Sequence, residues 1–363
     1  MTSPIVHSWR LLKWGRILAR HGALRGIERD PNTPPRLRRL LRIARFGART
    51  PNVPRYADAF QAIGPAAIKL GQTLATRPDL VGEAAAADLL RLQDALPPVP
   101  FAEIRPQLQA SFGRPLDHLF AHIDEVPVGA ASIAQVHRAV TTDGREVAVK
   151  VLRPGVEEEF ARAIETYEWA AAQAEPMGGE IARLQPRLVI ETFKRWTARE
   201  LDLRREAASA SELAEGMTAE PGYIVPKVDW QRTTGKVLTI EWIDGIKLSD
   251  RAALVAQGYD LPALARTLVH AFLRQAIAEG FFHADMHQGN LFAVPGNRIV
   301  AIDFGIMGRI DRRARVWLAE ILYGLITGNY RRVAEIHFEA GYVPPHHNVA
   351  DAAVIAGDQA VED

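Results

Sequence analysis

Apolar and polar positions change period several times along the chain, and each change predicts an element. Glu146-Val147-Ala148-Val149-Lys150-Val151-Leu152 alternates with period two and reads as a strand. It follows Ser132–Val140, a second strand-like run, across an Asp143-Gly144 turn. Residues 56–96 are Ala-rich and helical in period until Pro97-Pro98-Val99-Pro100 breaks them, and a short helix is expected over 101–112. Residues 157–175 and about 187–215 also read as helices, Val237–Trp242 as a strand and Asp244-Gly245 as a turn. After that the pattern is mostly helical, apart from two apolar runs, Leu291–Val294 and Ile299–Ile302, joined by Pro295-Gly296-Asn297-Arg298. Those runs predict a hairpin. Residues 30–36 read as a linker, and the chain carries no solenoid-length repeat or low-complexity tract. Strands, helices, a further strand and then helices describe a small β-rich lobe followed by a larger helical one, after an extra helical segment of α character. The fold class is α+β.

The hairpin matters because of what flanks it. His283-Ala284-Asp285-Met286-His287-Gln288-Gly289-Asn290 precedes it and Asp303-Phe304-Gly305 follows. A hairpin of this length returns Asp303 close to Asn290. Asp285 can accept a proton from an attacking hydroxyl or orient it. The Asn290 amide and the Asp303 carboxylate are hard oxygen ligands for Mg²⁺, which completes its octahedron from phosphates and water. Asp, His and Asn also cap helices and fill turns. The two motifs in this order, with a strand hairpin between them, favour a phosphoryl-transfer site.

Lys150 shares a strand face with Ala148, so an Ala can pack under adenine while the ammonium reaches phosphate. Taken alone, Lys150 would read as an exposed lysine on an edge strand. The loop ahead of this hairpin, Gly129-Ala130-Ala131-Ser132, has one glycine where a phosphate-covering loop usually has three, so its backbone approaches phosphate less freely. A carboxylate is needed to hold Lys150. Glu191, Glu200, Asp202 and Glu206 are all on offer, and spacing leaves the four open, with Arg204 and Arg205 as competing partners. Lys69 and Gln72 share a helix face, which is unremarkable by itself.

Composition narrows the class. The chain has 363 residues, 48% hydrophobic and 24% charged, with no cysteine, which excludes disulfides, thiolate metal sites and a cysteine nucleophile. No apolar run is long enough for a transmembrane helix, and the start is not a secretory signal. Net charge is +1, yet residues 1–50 hold twelve Lys/Arg against Glu28 and Asp30. Trp9, Leu11, Leu12, Trp14, Ile17, Leu18 and Leu24 mix with these cations at near-helical spacing. An amphipathic helix on an anionic membrane surface is the leading reading. A basic helix packed on an acidic body and a nucleic-acid arm are the others.

Together these motifs resemble the UbiB, or aarF-domain, family of atypical kinases linked to ubiquinone biosynthesis. The family's K-x-G-Q motif is matched by Lys69-Leu70-Gly71-Gln72 and its Ala-rich loop by Gly129–His137. Its E-x-D motif is matched by Glu200-Leu201-Asp202, followed by Arg205-Glu206, and its catalytic loop and D-F-G by the residues above. The match runs over about residues 56–345. The resemblance implies a protein-kinase-like two-lobe fold with a helical N-terminal extension, an ATP and Mg²⁺ requirement, and work near lipid intermediates at a membrane. It implies Asp285 as catalytic-loop aspartate, Asn290 and Asp303 as metal ligands, Lys150 as phosphate-binding lysine and Glu206 as its partner. Ala130, Ala131, Ser132, Ala148, Glu241 and Ile243 become nucleotide contacts, with Glu241 to Ile243 as hinge. Lys69, Gln72, Glu200 and Asp202 belong to an extension folded over the site where a protein kinase would take a peptide.

The expected divisions are a basic segment over 1–50, the helical extension over 51–115, an N-lobe over 116–243 and a helical C-lobe over 244–363. Met286 and Gln288 replace the family's usual prolines, which loosens the loop. The chain ends at Asp363, soon after Gly341–Pro344, so the C-lobe is expected to be incomplete or a short version. The expected activity is that of an ATP-dependent kinase or ATPase supporting a quinone pathway. Its expected partners are a membrane surface or lipid intermediate and a quinone-biosynthesis complex, with no nucleic acid. The expected location is cytoplasmic and peripheral at the inner membrane face. A small-molecule kinase of the aminoglycoside or choline type and a nucleotide-gated lipid-binding protein are the alternatives.

Overall fold

The strand carrying Lys150 folds as its alternation demands. Val147, Val149 and Val151 are buried in the core, while Ala148 and Lys150 lie half-exposed on the opposite face. The computed structural model describes residues 3–344, apart from 30–32, 34, 48–49, 93–95 and 179–182. Most of the 30–36 linker and the stretch 345–363 lie outside the described residues.

The chain divides into two units, the first made of 1–204 and 229–239 and the second of 205–228 and 240–363. The first begins with helices α1 (Pro4–Arg20), α2 (Arg25–Arg29) and α3 (Pro35–Arg45). The helical run expected over 56–96 is real but broken into α4 (Tyr56–Ile63), α5 (Pro65–Ala75), α6 (Pro78–Val81) and α7 (Glu83–Leu89). The breaks fall at Gly64 and Gly82, with φ of 130° and 81°, and at Arg77-Pro78, where helical backbone is disfavoured. These helices enclose Ala57, Ile68, Ala75, Leu89 and Leu92. Helix α8 (Phe101–Phe112) buries Ile104 and Leu108 against the sheet and stops at Gly113.

The sheet of the first unit contains β1 (Phe120–Ile123), β2 (Gly129–Ala130), β3 (Ala134–Thr141) and β4 (Glu146–Leu152), with β3 and β4 antiparallel across the Asp143-Gly144 turn. Helices α9 (Val156–Ala174) and α10 (Pro186–Glu200) follow and pack on each other. The helix expected over 187–215 ends at Glu200 and restarts as α11 (Leu203–Gly216), because the Asp202 carboxylate accepts the Arg204 N–H at 3.2 Å and caps the new start. The chain then passes β5 (Tyr223–Ile224) and adds β6 (Val237–Glu241) beside β4, giving the order β1-β3-β4-β6 with β2 on β3.

In the second unit β7 (Ile246–Lys247) leads to helices α12 (Arg251–Ala256) and α13 (Leu261–Leu273), then β8 (Phe281–His283), β9 (Leu291–Val294), β10 (Arg298–Ala301) and β11 (Met307–Arg309). Helices α14 (Arg312–Ile326) and α15 (Tyr330–Glu339) complete the described part. The region expected to be mostly helical thus also contains three short strands, β7, β8 and β11, each too short to show a period in sequence. The order β5-β10-β9-β7 has β5 parallel to β10 and the other pairs antiparallel. The core of this unit includes Leu213, Tyr223, Leu264, Leu291, Ile299 and Phe304. Among the described residues, no helix is long and apolar enough to cross a membrane.

Candidate active site

The β9–β10 hairpin forms as its sequence predicts. Its turn carries Gly296 and Asn297 at φ of 84° and 57°. Asn tolerates this left-handed backbone, and here its side chain also accepts the Asp260 N–H at 3.0 Å and donates to the Asp260 carbonyl at 3.2 Å. The hairpin's return brings the Ile302 N–H to the Asn290 carbonyl at 3.1 Å, which seats Asp303 beside Asn290 along the backbone.

The loop before β9 is held by its own polar groups. The Asn290 amide donates to the Asp285 carboxylate and carbonyl, each at 3.3 Å. His287 Nδ1 accepts the Gly289 N–H at 3.0 Å, and its Nε2 lies 3.8 Å from the Asp285 carboxylate. Asp303 accepts the Gly305 N–H at 3.0 Å, which fixes one carboxylate oxygen. His283 is almost fully buried, and that burial lowers its pKa. Its Nδ1 accepts the Asp285 N–H at 3.1 Å, and its edge meets Phe304 with centroids 5.8 Å apart.

This set suits a metal shared with phosphate. Asn290 and Asp303 are hard oxygen donors, and among the described residues no group of three or more His, Asp or Glu forms a cage of its own. Mg²⁺ bound through one or two protein oxygens, with phosphate and water completing the shell, fits such a donor set.

In the first unit the Ala-rich loop is pinned. Ala131 N–H reaches the Ala134 carbonyl at 2.8 Å, and Arg153 donates to the Ala131 carbonyl at 2.9 Å and the Pro97 carbonyl at 3.0 Å. Ser132 is fully buried there. Gln135 and His137, from the same motif, are structural. Gln135 bridges to both main-chain groups of Val99 and to His137 Nε2 at 2.9 Å, and His137 Nδ1 donates to the Asp124 carbonyl at 2.7 Å. Sequence reasoning did not single out Arg153, whose only signal is a lone cation directly after an apolar strand.

The extension resolves part of the choice among carboxylates. Lys69 pairs with Glu200 at 3.5 Å, both partly buried, while Asp202 is held by Arg204 at 2.8 Å. Gln72 reaches the Leu92 carbonyl at 3.5 Å. Gly71 explains itself: a Cβ there would lie 2.5 Å from Leu92 Cδ1 and 2.7 Å from Phe60 Cδ1. Glu206 is buried in the first turn of α11. Glu241 ends β6 and pairs main chain to main chain with Lys227, its N–H meeting the Lys227 carbonyl at 2.9 Å, and Ile243 follows two residues on.

Comparison with known proteins agrees with these features. Residues 91–337 match the model of the ABC1 atypical kinase-like domain. The chain is 38% identical over 304 residues to "Probable protein kinase UbiB" of Xylella fastidiosa, covering 82% of this chain and 55% of that protein. It is 41% identical over 299 residues to the protein of the same name in Aeromonas hydrophila, covering 80% and 54%. The chain thus spans about half the length of the curated relatives it matches. A solved structure titled as the complex of Rv3197 with erythromycin, from Mycobacterium tuberculosis, aligns with a TM-score of 0.56 at 26% identity over 78% of this chain and 71% of that one. The α+β, kinase-like fold expected from the motifs is therefore observed, and the chain belongs to the ABC1 atypical kinase-like family.

Proposed function

We propose that the protein is an ATP- and Mg²⁺-dependent atypical kinase or ATPase serving ubiquinone or a related quinone pathway at a membrane surface. One observation carries this reading: Asp285, Asn290 and the Asp303 backbone are drawn together by the β9–β10 hairpin. Asp285 orients an attacking hydroxyl or water and takes up its proton, with the Asn290 amide fixing the carboxylate. Asn290 and Asp303 would hold Mg²⁺. Bound Mg²⁺ would neutralise charge on the phosphates. Lys150 binds phosphate, with Glu206 as its ion-pair partner. Ala148, Ala130, Ala131 and Ser132 line the nucleotide, and Glu241 to Ile243 read adenine.

The basic N-terminal helix supports both leading readings of it, one per face. One face of α1 packs inside the first unit: His7 is buried against Thr166, Arg10 donates to the Arg162 carbonyl at 3.1 Å and Trp14 meets Tyr167. The other face leaves Ile5 and Trp9 exposed among cations, and Leu40 and Ile43 of α3 are exposed too. Such a surface suits an anionic bilayer, in keeping with peripheral attachment at the inner membrane face from the cytoplasm. The Lys69–Glu200 pair and the packed extension favour this reading over a soluble small-molecule kinase, because they add an element such a kinase does not need.

The test is ATP hydrolysis by purified protein with Mg²⁺, with and without anionic liposomes and a substituted phenol, alongside Asp303→Asn. Turnover that rises with liposomes or phenol and vanishes in the variant is the expected result. Nucleotide binding with no hydrolysis under any condition would replace this reading with a gated binding protein.

A further inference from the structure

Helix α13 is apolar along most of its length and runs directly into a π turn over Arg274–Glu279. A π turn departs from the regular α ladder and is frequent at functional sites. This one buries Gln275 completely. A fully buried amide must find partners, and Gln275 finds one of consequence: its side-chain oxygen accepts the His283 main-chain N–H at 3.0 Å. On the neighbouring residue, the Ile306 carbonyl, just ahead of β11, takes up the Ala284 N–H at 3.0 Å. The His283 N–H is received by a side chain instead of a strand. From there the contacts continue without a gap. His283 Nδ1 accepts the Asp285 N–H at 3.1 Å, and the Asp285 carboxylate accepts the Asn290 amide at 3.3 Å.

We infer that Gln275 is a positioning residue for the catalytic loop, setting the main chain at His283 and through it the carboxylate of Asp285. Gln275 touches neither a ligand oxygen nor Asp285 itself. Its π turn places the amide under the loop, and its oxygen fixes where β8 ends and the loop begins. Nδ1 of His283 acts as the acceptor in this chain of contacts, so it presents a lone pair to the Asp285 N–H. Tyr223, on the strand parallel to β10, keeps its buried hydroxyl beside the same amide. Burial pushes the pKa of that hydroxyl up, the amide partly opposing, so the group stays uncharged in this interior.

The test compares Gln275→Met, which keeps length and volume but has no acceptor oxygen, with Gln275→Glu, which keeps one. Gln275→Asn, polar but a methylene short, repeats the comparison if the Met variant does not fold. The full chain is read for kcat and KM with Mg·ATP, and for amide hydrogen exchange across residues 281–290. We expect kcat in Gln275→Met to fall about tenfold or more with KM for ATP within about twofold, because a lost buried hydrogen bond acts on the loop and not on nucleotide binding. We expect exchange at His283 to quicken about tenfold, and Gln275→Glu to recover part of both. Wild-type kcat in Gln275→Met, unchanged exchange at His283, or equal losses in the Met and Glu variants would overturn the inference. The kcat arm rests on the phosphoryl-transfer reading. Absence of turnover in the wild-type protein refutes that reading, while the exchange arm still decides the role of Gln275.

Discussion

The catalytic-loop hairpin and the helical extension are built on opposite principles. In the hairpin, every group that matters lies within about twenty residues of sequence, and the contacts are main-chain bonds and short polar links such as Asn290 to Asp285. In the extension, Lys69 meets Glu200, and Gly71 fits only because Phe60, Leu89 and Leu92 close over it. The first region is written in local spacing and holds the residues proposed for phosphoryl transfer. The second is written in side-chain volume, and its conspicuous ion pair adds little to its strength. A partly buried pair such as Lys69–Glu200 sets its Coulomb gain against lost hydration and side-chain entropy, whereas a filled helix contact forfeits dispersion and burial when disturbed.

Four substitutions test that contrast. Asp303→Asn should cut ATP hydrolysis about 100-fold or more while leaving the thermal midpoint close to wild type, as removal of a group acting on transition-state charge does. Steady-state kinetics and a melting curve measure both. A variant with near-normal turnover would remove the hairpin from the chemistry. Gly71→Ala should do the reverse. The added methyl overpacks α5 by about 1–3 kcal/mol, partly offset by about 1 kcal/mol of better helix propensity, and the midpoint drops by a few degrees. An unchanged midpoint would mean that Leu92 and Phe60 yield freely.

The third concerns His137. Burial lowers its pKa below the ordinary 6.5, so just below that pH the unfolded chain binds more protons than the folded one. Its contribution to stability is whole above about pH 6.5 and is lost as pH falls toward the lowered folded value. The midpoint of the wild-type protein should therefore drop more steeply between pH 7 and pH 5.5 than that of His137→Asn. Parallel curves would show that the histidine tolerates its charge. The smallest effect is expected from Lys69→Ala, which should change stability by less than about 1 kcal/mol in a denaturant titration. A larger loss would mean that the ion pair, and not the packing around Gly71, holds the extension.

The two regions were also unequally legible. The turn at Pro295–Arg298 and the return of Asp303 to Asn290 could be read from residue spacing, since a hairpin of fixed length has few ways to close. The period of β4 by itself places Lys150 and Ala148 on one face. The choice of Glu200 for Lys69 could not be read that way, because Asp202 sits two residues on and differs only in where α10 happens to end. Nor could Gln275. A glutamine in an apolar helix is a weak signal, and its meaning depends on a π turn that no periodicity announces.

Alone, then, the sequence determined the fold class and the candidate catalytic loop with its hairpin, while the motifs carried the resemblance to the family. Those depend on local backbone preference and short-range spacing, which are properties of neighbouring residues. Tertiary structure alone decided that Glu200 pairs with Lys69, why Gly71 must be glycine, that Arg153 and Gln135 pin the Ala-rich loop, and that Gln275 supports the main chain of the catalytic loop. Each of these joins residues that become neighbours only when distant helices and strands pack, and packing selects among chemically similar side chains by position.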